Sequence, residues 1–380
     1  MPLQSYSIKV ASSVTNCICN DQRVMKICGT VRGLNCDVTI IGRKVGECCD
    51  SGSVPFRTRR FRMIFKKGFL FYGFFNIRLF IYLLFHKFDL LVANDLDTLL
   101  PNFIISKLKR LPFVYDSHEY FTGVPEIQDR PFVKWVWKSI EKSIFPRLKY
   151  IMTVSDSIAC QYEKEYGLKP LTVRNCSLIS QQIVPFSREE LGINPDHLLL
   201  ILQGTGINKD RGGEELIEAI NLTDGVSLLV VGSGDQYEIL VKKASIPGLA
   251  ERIKFIPKCP WNELMRYTKS ADIGLSLDKN SNLNYNFSLP NKLFDYLSAG
   301  IPIIATDLPE ISKIVMEYNC GVLISEPAPG KISLAINRVK NNRQFLTKLK
   351  QNAVLASGSI NWENESLKVK EFYRLILNKL

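Results

Sequence analysis

Acidic side chains are missing from Ser51 to Phe88, while the same span carries Arg57, Arg59, Arg60, Arg62, Lys66, Lys67, Arg78 and Lys87. The formal net charge of +12 is therefore unevenly spread. Such a block points to an anionic partner, whether a membrane surface, a phosphorylated substrate or nucleic acid, with a solvated basic face as the plain alternative. Histidine is scarce, at three residues (His86, His118 and His197), and none of the ten cysteines forms a C-x-x-C pair. The usual zinc spacings are absent even though Cys17, Cys19, Cys28, Cys36, Cys48 and Cys49 crowd the first fifty residues. We read the thiols as reduced, mostly small core residues of a cytosolic chain. The opening MPLQSYSIKVASS lacks a basic n-region and a long apolar core, so no secretory signal is expected. The G-x-x-x-x-G-K-S/T order of a P-loop is also missing.

No apolar run reaches the ~20 residues that a membrane-spanning helix needs. Gly68 to Phe85 comes nearest, but Asn76 and Arg78 sit at its centre, where an Arg costs roughly 2.5–3.5 kcal/mol. Leu70, Phe74, Ile77, Ile81 and Leu84 recur at helical spacing, which predicts a buried or interface-lying helix and not a span. Preceded by the Arg-rich run, Arg57 to Phe85 is suited to peripheral contact with an anionic bilayer.

What is present is an ordinary globular composition, 46% hydrophobic and 23% charged, over 380 residues, long enough for two cores. YSIKVASS, CDVTIIGR, DLLVAND, PFVYDSHE and YIMTVSD are apolar strands, each ending in polar groups and separated by helical patterns. Near residue 183 the pattern breaks and a second series begins: HLLLILQGT, VSLLVVGSG, RIKFIPK, ADIGLSLD, IPIIATD and GVLIS, again with helices between. Continuous Val/Ile/Leu strands alternating with helices predict two doubly wound α/β domains, each with a parallel sheet covered on both faces. We place them at 1–183 and 184–360, with a helix over 361–380 packing back on the first. In such sheets ligands lie outside the carboxyl ends of the strands, so two facing domains predict a cleft.

The polar groups at those strand ends form a pattern. In QGTGINKDRGGEELIEAI, Gly204 and Gly206 allow close backbone approach, Lys209 and Arg211 supply charge, and Gly212-Gly213 opens a helix whose amino end attracts anions. Gly232, Ser233 and Gly234 end the next strand, where a tight turn is the simpler explanation; the backbone of Ile256 to Lys258 offers an edge for a nucleobase. In NYNFSLPNKLFDYLSAGIPIIAT, Pro290 fits a helix start and Gly300 its end, and Lys292 and Asp295 share an edge at i and i+3. Either the two form an exposed ion pair, or the Lys binds phosphate and the Asp holds a sugar hydroxyl; the matching groups on neighbouring strand ends favour the second. In the first half, His118 between Asp116 and Glu119 is placed for hydrogen bonding or proton handling. Asn94, Asp95 and Asp97, with Asn16, Asn20, Asp21 and Arg23, line the same edge and suit an acceptor pocket. The D-x-D spacing of Asp95 and Asp97 reads as helix capping before metal binding.

PNKLFDYLSAGIPIIATDLPE resembles the donor-site block of the bacterial group 1, family-four-like GT-B glycosyltransferases, and Arg211-Gly212 resembles their diphosphate loop. ANDLDTLLP and YDSHE are similar to one bacterial subgroup, so that the likeness covers nearly the whole chain. It implies two Rossmann-like domains of GT-B architecture and transfer of a sugar from a nucleoside-diphosphate sugar to a saccharide or lipid-linked hydroxyl. Anomeric configuration is retained, and no metal or other cofactor is required. It implies catalytic roles for His118, Arg211 and Asp295. Donor binding falls to Gly204, Gly206, Lys209, Gly232, Gly234, Lys258, Ser288, Pro290, Asn291 and Lys292, and acceptor binding to Asn16, Asp21, Arg23, Asp95 and Glu119. Cell-surface polysaccharide or glycolipid synthesis on the cytoplasmic face of the membrane is the implied setting. One departure is clear: the family's two donor-block glutamates map to Phe287 and to Asp295, so contacts credited to the first must come from Asn286 or the Ser288–Asn291 backbone. Two rivals stay open, a non-hydrolysing nucleotide-sugar epimerase and a non-catalytic sugar-nucleotide-binding subunit. Nucleic-acid binding ranks last, because the aromatics among the basic residues follow an apolar helix pattern and not a stacking sheet.

Overall fold

The structure, a computed structural model, describes residues 7–18, 21–44, 55–179 and 182–380. It divides into two compact units. One holds the described residues up to Arg174 together with Glu365–Leu380, and the other Asn175–Asn364. The break comes before the Pro185 region because Cys176 lies in the second unit's core and the Ser177 hydroxyl donates to Asp295 of that unit.

The first unit is built on a seven-stranded parallel sheet in the order β3-β2-β1-β4-β5-β6-β7. Its strands are β1 (Ile8–Ser13), β2 (Cys36–Arg43), β3 (Arg57–Phe61), β4 (Leu90–Asn94), β5 (Phe113–Ser117), β6 (Tyr150–Thr153) and β7 (Leu171–Thr172). The central strands β4 and β5 are buried at every residue, as helices on both faces require. Helix α1 (Gln22–Arg32) starts where the Asp21 side chain accepts from Val24 N at 3.1 Å, and it buries Val24, Ile27 and Val31. Helices α2 (Gly68–Phe85), α3 (Leu99–Lys109) and α4 (Pro131–Ile144) follow. The strand β3 has no counterpart in the sequence reading. Its residues RTRRF belong to the basic run, and the alternation that exposes Arg57 and Arg59 on a sheet edge was masked by the uniform charge.

The inner face of α2 also differs from expectation. Phe71, Phe75, Leu79 and Leu83 are the buried stripe, whereas Leu70, Ile77, Ile81 and Leu84 of the expected set are exposed. A helix apolar all round offers two competing stripes, and only packing chooses between them. The last helix, α5 (Trp362–Leu377), contributes Val369, Tyr373 and Ile376 to the first unit's core, with Phe372 edge-on to Tyr150. Cys28 and Cys36 are free and buried, as expected of small core residues. Cys17 is disulfide-bonded, which corrects the expectation of uniformly reduced thiols. Cys19, Cys48 and Cys49 lie outside the described residues.

The second unit carries a six-stranded parallel sheet in the order β10-β9-β8-β11-β12-β13. The strands are β8 (Leu198–Gly204), β9 (Val226–Gly232), β10 (Ile253–Pro257), β11 (Ile273–Ser276), β12 (Ile303–Thr306) and β13 (Gly321–Ile324). Two apolar clusters, one per sheet face, sandwich it. On one face the Tyr296 ring lies flat over β11, and its hydroxyl donates to Leu275 O at 3.1 Å. This packing needs a glycine beneath the ring, since a Cβ at Gly274 would sit 2.3 Å from it. Gly274→Ala is therefore expected to destabilise the second unit by roughly 1–3 kcal/mol, measured as a lower thermal midpoint for that unit.

Candidate active site

Both sheets reverse direction at one place, between β1 and β4 in the first and between β8 and β11 in the second. Loops leaving the carboxyl ends of neighbouring strands diverge there, so side chains on them are left facing an open crevice. The polar residues collect at these two switch points.

In the first unit the loop after β1 delivers Asp21, the loop after β4 delivers Asp95, and β5 runs out into His118. His118 Nδ1 lies 3.4 Å from Asp95 and 3.8 Å from Asp21, and Nε2 lies 3.4 Å from Asp116. Burial opposes a charged imidazole, but Asp95, Asp21 and Asp116 outweigh it and raise the His118 pKa to about 10. The surrounding carboxylates thus favour the protonated ring, which suits His118 to donating a hydrogen bond. Asp95 holds the backbone at φ 61°, ψ 169°, a region that costs a non-glycine residue of order 1–3 kcal/mol. Its carboxylate accepts from His118 N at 2.7 Å, and the strained turn is what brings it there. Burial raises the pKa of Asp95 and of Asp97. The capping expectation for this pair is corrected in part: Asp95 stands at the N-cap position of the 3-10 turn Leu96–Thr98, but its side chain makes no capping bond and serves His118, and Asp97 accepts from the Thr15 hydroxyl.

Arg23 is 2% exposed and stands behind this cluster. Its Nε and Nη2 grip Asp116 at 2.6–3.2 Å, and Nη1 donates to Val173 O at 2.6 Å. Burial would raise the Asp116 pKa, but Arg23 and His118 hold it well below the usual carboxylate range. Arg23 therefore fixes the floor of the site, a position the sequence did not distinguish from its surface. Asn16 is exposed on the loop after β1, and Glu119 is half-buried, its carbonyl accepting from Ser117 Oγ at 2.8 Å. Asn20 lies outside the described residues.

In the second unit, Gly204 and Gly232 close β8 and β9 side by side with φ of 143° and 142°. A Cβ on Gly232 would lie 1.8 Å from Gly204 O, so the two turns approach as closely as backbone permits. Gly206 and Gly234 lie in the same two turns. Arg211 follows on the β8 loop, ahead of a helix over Gly213–Asn221 that starts from Gly212 at φ 72°. Arg211 Nη1 reaches Asp278 at 3.1 Å, and its guanidinium stacks 4.1 Å from the centre of the Tyr285 ring. Lys292, in the first turn of the helix Asn291–Ser298, brings Nζ to 3.7 Å from the other Asp278 oxygen. Asp278 is fully buried. Burial works against its ionisation, yet Lys292 and then Arg211 hold its pKa below the usual range. Burial in turn lowers the Lys292 pKa, and Asp278 opposes that fall.

Asp278 and Tyr285 are the residues that the sequence reading missed. The signal was there for Asp278, an acid placed directly after the apolar run ADIGLSL. Tyr285 had no signal, since its ring is oriented by a short helix that the side chain of Asn282 caps. Lys292 and Asp295 do not form a pair. Asp295 is 5% exposed and accepts from Ser177 at 2.5 Å, Gln203 at 3.1 Å and Trp261 at 3.1 Å. It ties together the start of the unit, β8 and the helix Trp261–Ser270. Of the other donor-side residues, Lys209 and Lys258 are exposed, and Ser288 Oγ donates to Tyr285 O at 2.9 Å. Pro290 occupies the N-cap position, and Asn291 Oδ1 accepts from Asn175 at 2.8 Å. Phe287 ends the short helix and is half-buried.

Sequence comparison matches residues 22–176 to the family described as Glycosyltransferase Family 4 and residues 184–355 to Glycosyl transferases group 1. A curated relative, the chitobiosyldiphosphodolichol beta-mannosyltransferase of Candida albicans, is 23% identical over 252 residues, 61% of this chain and 54% of that protein. The chain spans about half the length of the curated relatives it matches. Among solved structures, sucrose-phosphate synthase from Thermosynechococcus elongatus superposes with a TM-score of 0.77 at 16% identity, covering 98% of this chain and 100% of that one. Anabaena HepE in complex with UDP-glucose gives 0.75 at 15% identity, covering 97% and 100%. With two Rossmann-like parallel-sheet units and a family match over each, the chain belongs to the group 1, family 4 glycosyltransferases of GT-B architecture.

Proposed function

We propose that the chain transfers a sugar from a nucleoside-diphosphate sugar to an acceptor hydroxyl, in the assembly of a cell-surface polysaccharide or glycolipid. The observation that carries this reading is the convergence of Arg211 and Lys292 on the buried Asp278 at the second sheet's switch point. Two cations against one carboxylate leave a net positive charge, held in place before any ligand arrives. A diphosphate seated there also meets the amino end of the helix Gly213–Asn221. As the bond to the sugar breaks, charge grows on the leaving phosphate, and fixed cations in a partly dry site stabilise it without reorganising. The UDP-glucose complex of the structural relative HepE supports uridine diphosphate as the carrier.

In the first unit, Asp21 and Asp95 accept from hydroxyls of the sugars, and the His118 imidazolium donates to a sugar oxygen. The carboxylates that keep it charged also keep it oriented. Arg23 and Asp116 take no part in binding; they hold the floor on which His118 rests.

The direct test incubates the protein with nucleoside-diphosphate sugars and candidate lipid-linked or saccharide acceptors, and follows both the released nucleoside diphosphate and the glycosylated product. An epimerised donor, or donor binding with no release under any acceptor, would overturn the reading. Arg211→Ala is expected to reduce kcat/KM on the order of 10²–10³-fold, as loss of a fixed transition-state donor does, and to lower the thermal midpoint of the second unit, because the buried Asp278 then keeps only Lys292. Asp278→Asn removes the counter-charge of Lys292, so donor affinity should fall on the alkaline side at a lower pH than in the parent. Lys292→Arg in the same background should remove that pH dependence, because a guanidinium does not deprotonate in this range. For His118, the folded-state pKa of about 10 exceeds the unfolded value of about 6.5. Its stabilisation is complete below about pH 6.5 and is lost as pH rises toward 10. Asp95 and Asp97, raised in the same sense, lose stability as pH rises through their own shifted values. The first unit's thermal midpoint should therefore decline from neutral to alkaline pH, and His118→Gln should flatten that decline.

A further inference from the structure

Helix α2 has two apolar faces, and only one is used. Phe71, Phe75, Leu79 and Leu83 are buried against the first unit, whereas Phe69, Ile77, Ile81 and Phe85 are 79%, 60%, 49% and 78% exposed. The two polar residues that argue against a spanning helix are both turned into the domain. Asn76 Nδ2 donates to Tyr72 O at 2.8 Å and Asp97 O at 2.9 Å. Arg78 Nη1 donates to Arg62 O at 2.7 Å, with its guanidinium over the Phe61 and Phe74 rings. The outward stripe therefore carries no polar side chain.

The neighbouring helices extend this surface. α3 is tied to the end of α2 by Lys109 Nζ, which donates to Leu83 O and His86 O, and exposes Leu100, Ile104 and Leu108 at four-residue spacing. α4 touches α2 through Trp137 against Tyr72, and presents Phe132 stacked on Trp135, 74% and 64% exposed. Monomeric proteins rarely expose apolar groups in such density without a partner. The charge around the face chooses the partner. β3, α2 and α3 carry no acidic residue, while Arg59, Arg62, Lys66 and Lys67 are exposed just ahead of α2.

We propose that the outer face of α2, with the exposed apolar residues of α3 and α4, lies in the interface of an anionic lipid bilayer, the helix parallel to the membrane plane and the Arg62–Lys67 run on the lipid headgroups. Aromatic and aliphatic side chains enter the headgroup–acyl boundary, and the basic run holds the domain there by its attraction to anionic lipid. A protein partner or a second copy of the chain would need its own acidic rim to match the basic one, whereas an anionic membrane supplies that charge everywhere. The inference goes beyond the transferase reading and does not depend on it, because lipid binding is measured without a sugar donor.

The test is co-sedimentation of the full chain with vesicles of pure phosphatidylcholine and of phosphatidylcholine with phosphatidylglycerol. Binding is expected only to the anionic vesicles, weakened by salt. Neutralising Arg62, Lys66 and Lys67 together with Gln should lower the partition on the order of a hundredfold. Ile77→Glu with Ile81→Glu should abolish it with the parent's thermal midpoint kept. Phe69→Ser with Phe85→Ser is the milder pair should the first not fold. The proposal is overturned if the parent ignores anionic vesicles or if the face variants bind as well as the parent. It is equally overturned if bound protein resists alkaline carbonate extraction, the mark of a spanning helix, or if the lipid-free chain is a dimer that Ile81→Glu dissolves.

Discussion

A carboxylate buried at the carboxyl end of a parallel strand cannot stand alone, since an unpaired charge taken out of water costs several kcal/mol. Both units solve this in the same way. In the first, Asp116 at the end of β5 is gripped by Arg23 from α1; in the second, Asp278 beyond β11 meets Arg211 from the loop after β8. Each pair bridges two strand ends at the place where the sheet's connections diverge, so each fixes the spacing of the crevice that a ligand would enter. The difference lies in what remains after pairing. Arg23 is fully occupied by Asp116 and Val173 O, whereas Arg211 shares Asp278 with Lys292 and stays partly exposed. The first pair is a foundation, and the second is a foundation with positive charge to spare.

His118 depends on the first of these pairs. It rests against Asp116, which stays ionised because of Arg23, and it faces Asp95 and Asp21 on its other side. Three carboxylates around one imidazole would repel one another without the proton that they keep on it. The strained backbone at Asp95 is part of the same arrangement, as it turns one oxygen to the His118 amide and the other toward the ring.

The architecture was legible because period and length carry it. Runs such as VSLLVVG and LLLILQG, buried throughout or nearly so, have no amphipathic alternation to confuse with a surface strand. Positions at strand ends were legible for the same reason, and His118, Asp95, Asp21, Arg211 and Lys292 follow from them. What the sequence could not convey was direction. Lys292 and Asp295, three residues apart, go to different partners because Ser177, Gln203 and Trp261 converge on one of them from remote parts of the chain. Asp278 follows directly on the apolar run ADIGLSL, yet its role shows only once two cations are seen to meet on it. Whether the Leu70–Leu84 stripe of α2 is buried or interface-lying could not be read from the sequence, because both stripes of the helix have the same chemistry and burial is a property of the neighbours.

The path of the backbone between the two units has its own effect on how the protein is made. The chain leaves the first unit at Arg174, completes the second, and returns at Glu365. The returning helix does not merely cover a surface: Arg174 N donates to Glu365 at 3.0 Å, and Tyr373 fills a fully buried position close to Arg23 and Asp116. The first unit, although its sheet is synthesised early, lacks part of its core until the residues after Asn364 emerge. The second unit's sheet and both of its apolar clusters are drawn from Asn175–Asn364. Vectorial synthesis therefore favours a reversed order of completion, in which the later unit can close first and the earlier one waits for its final helix.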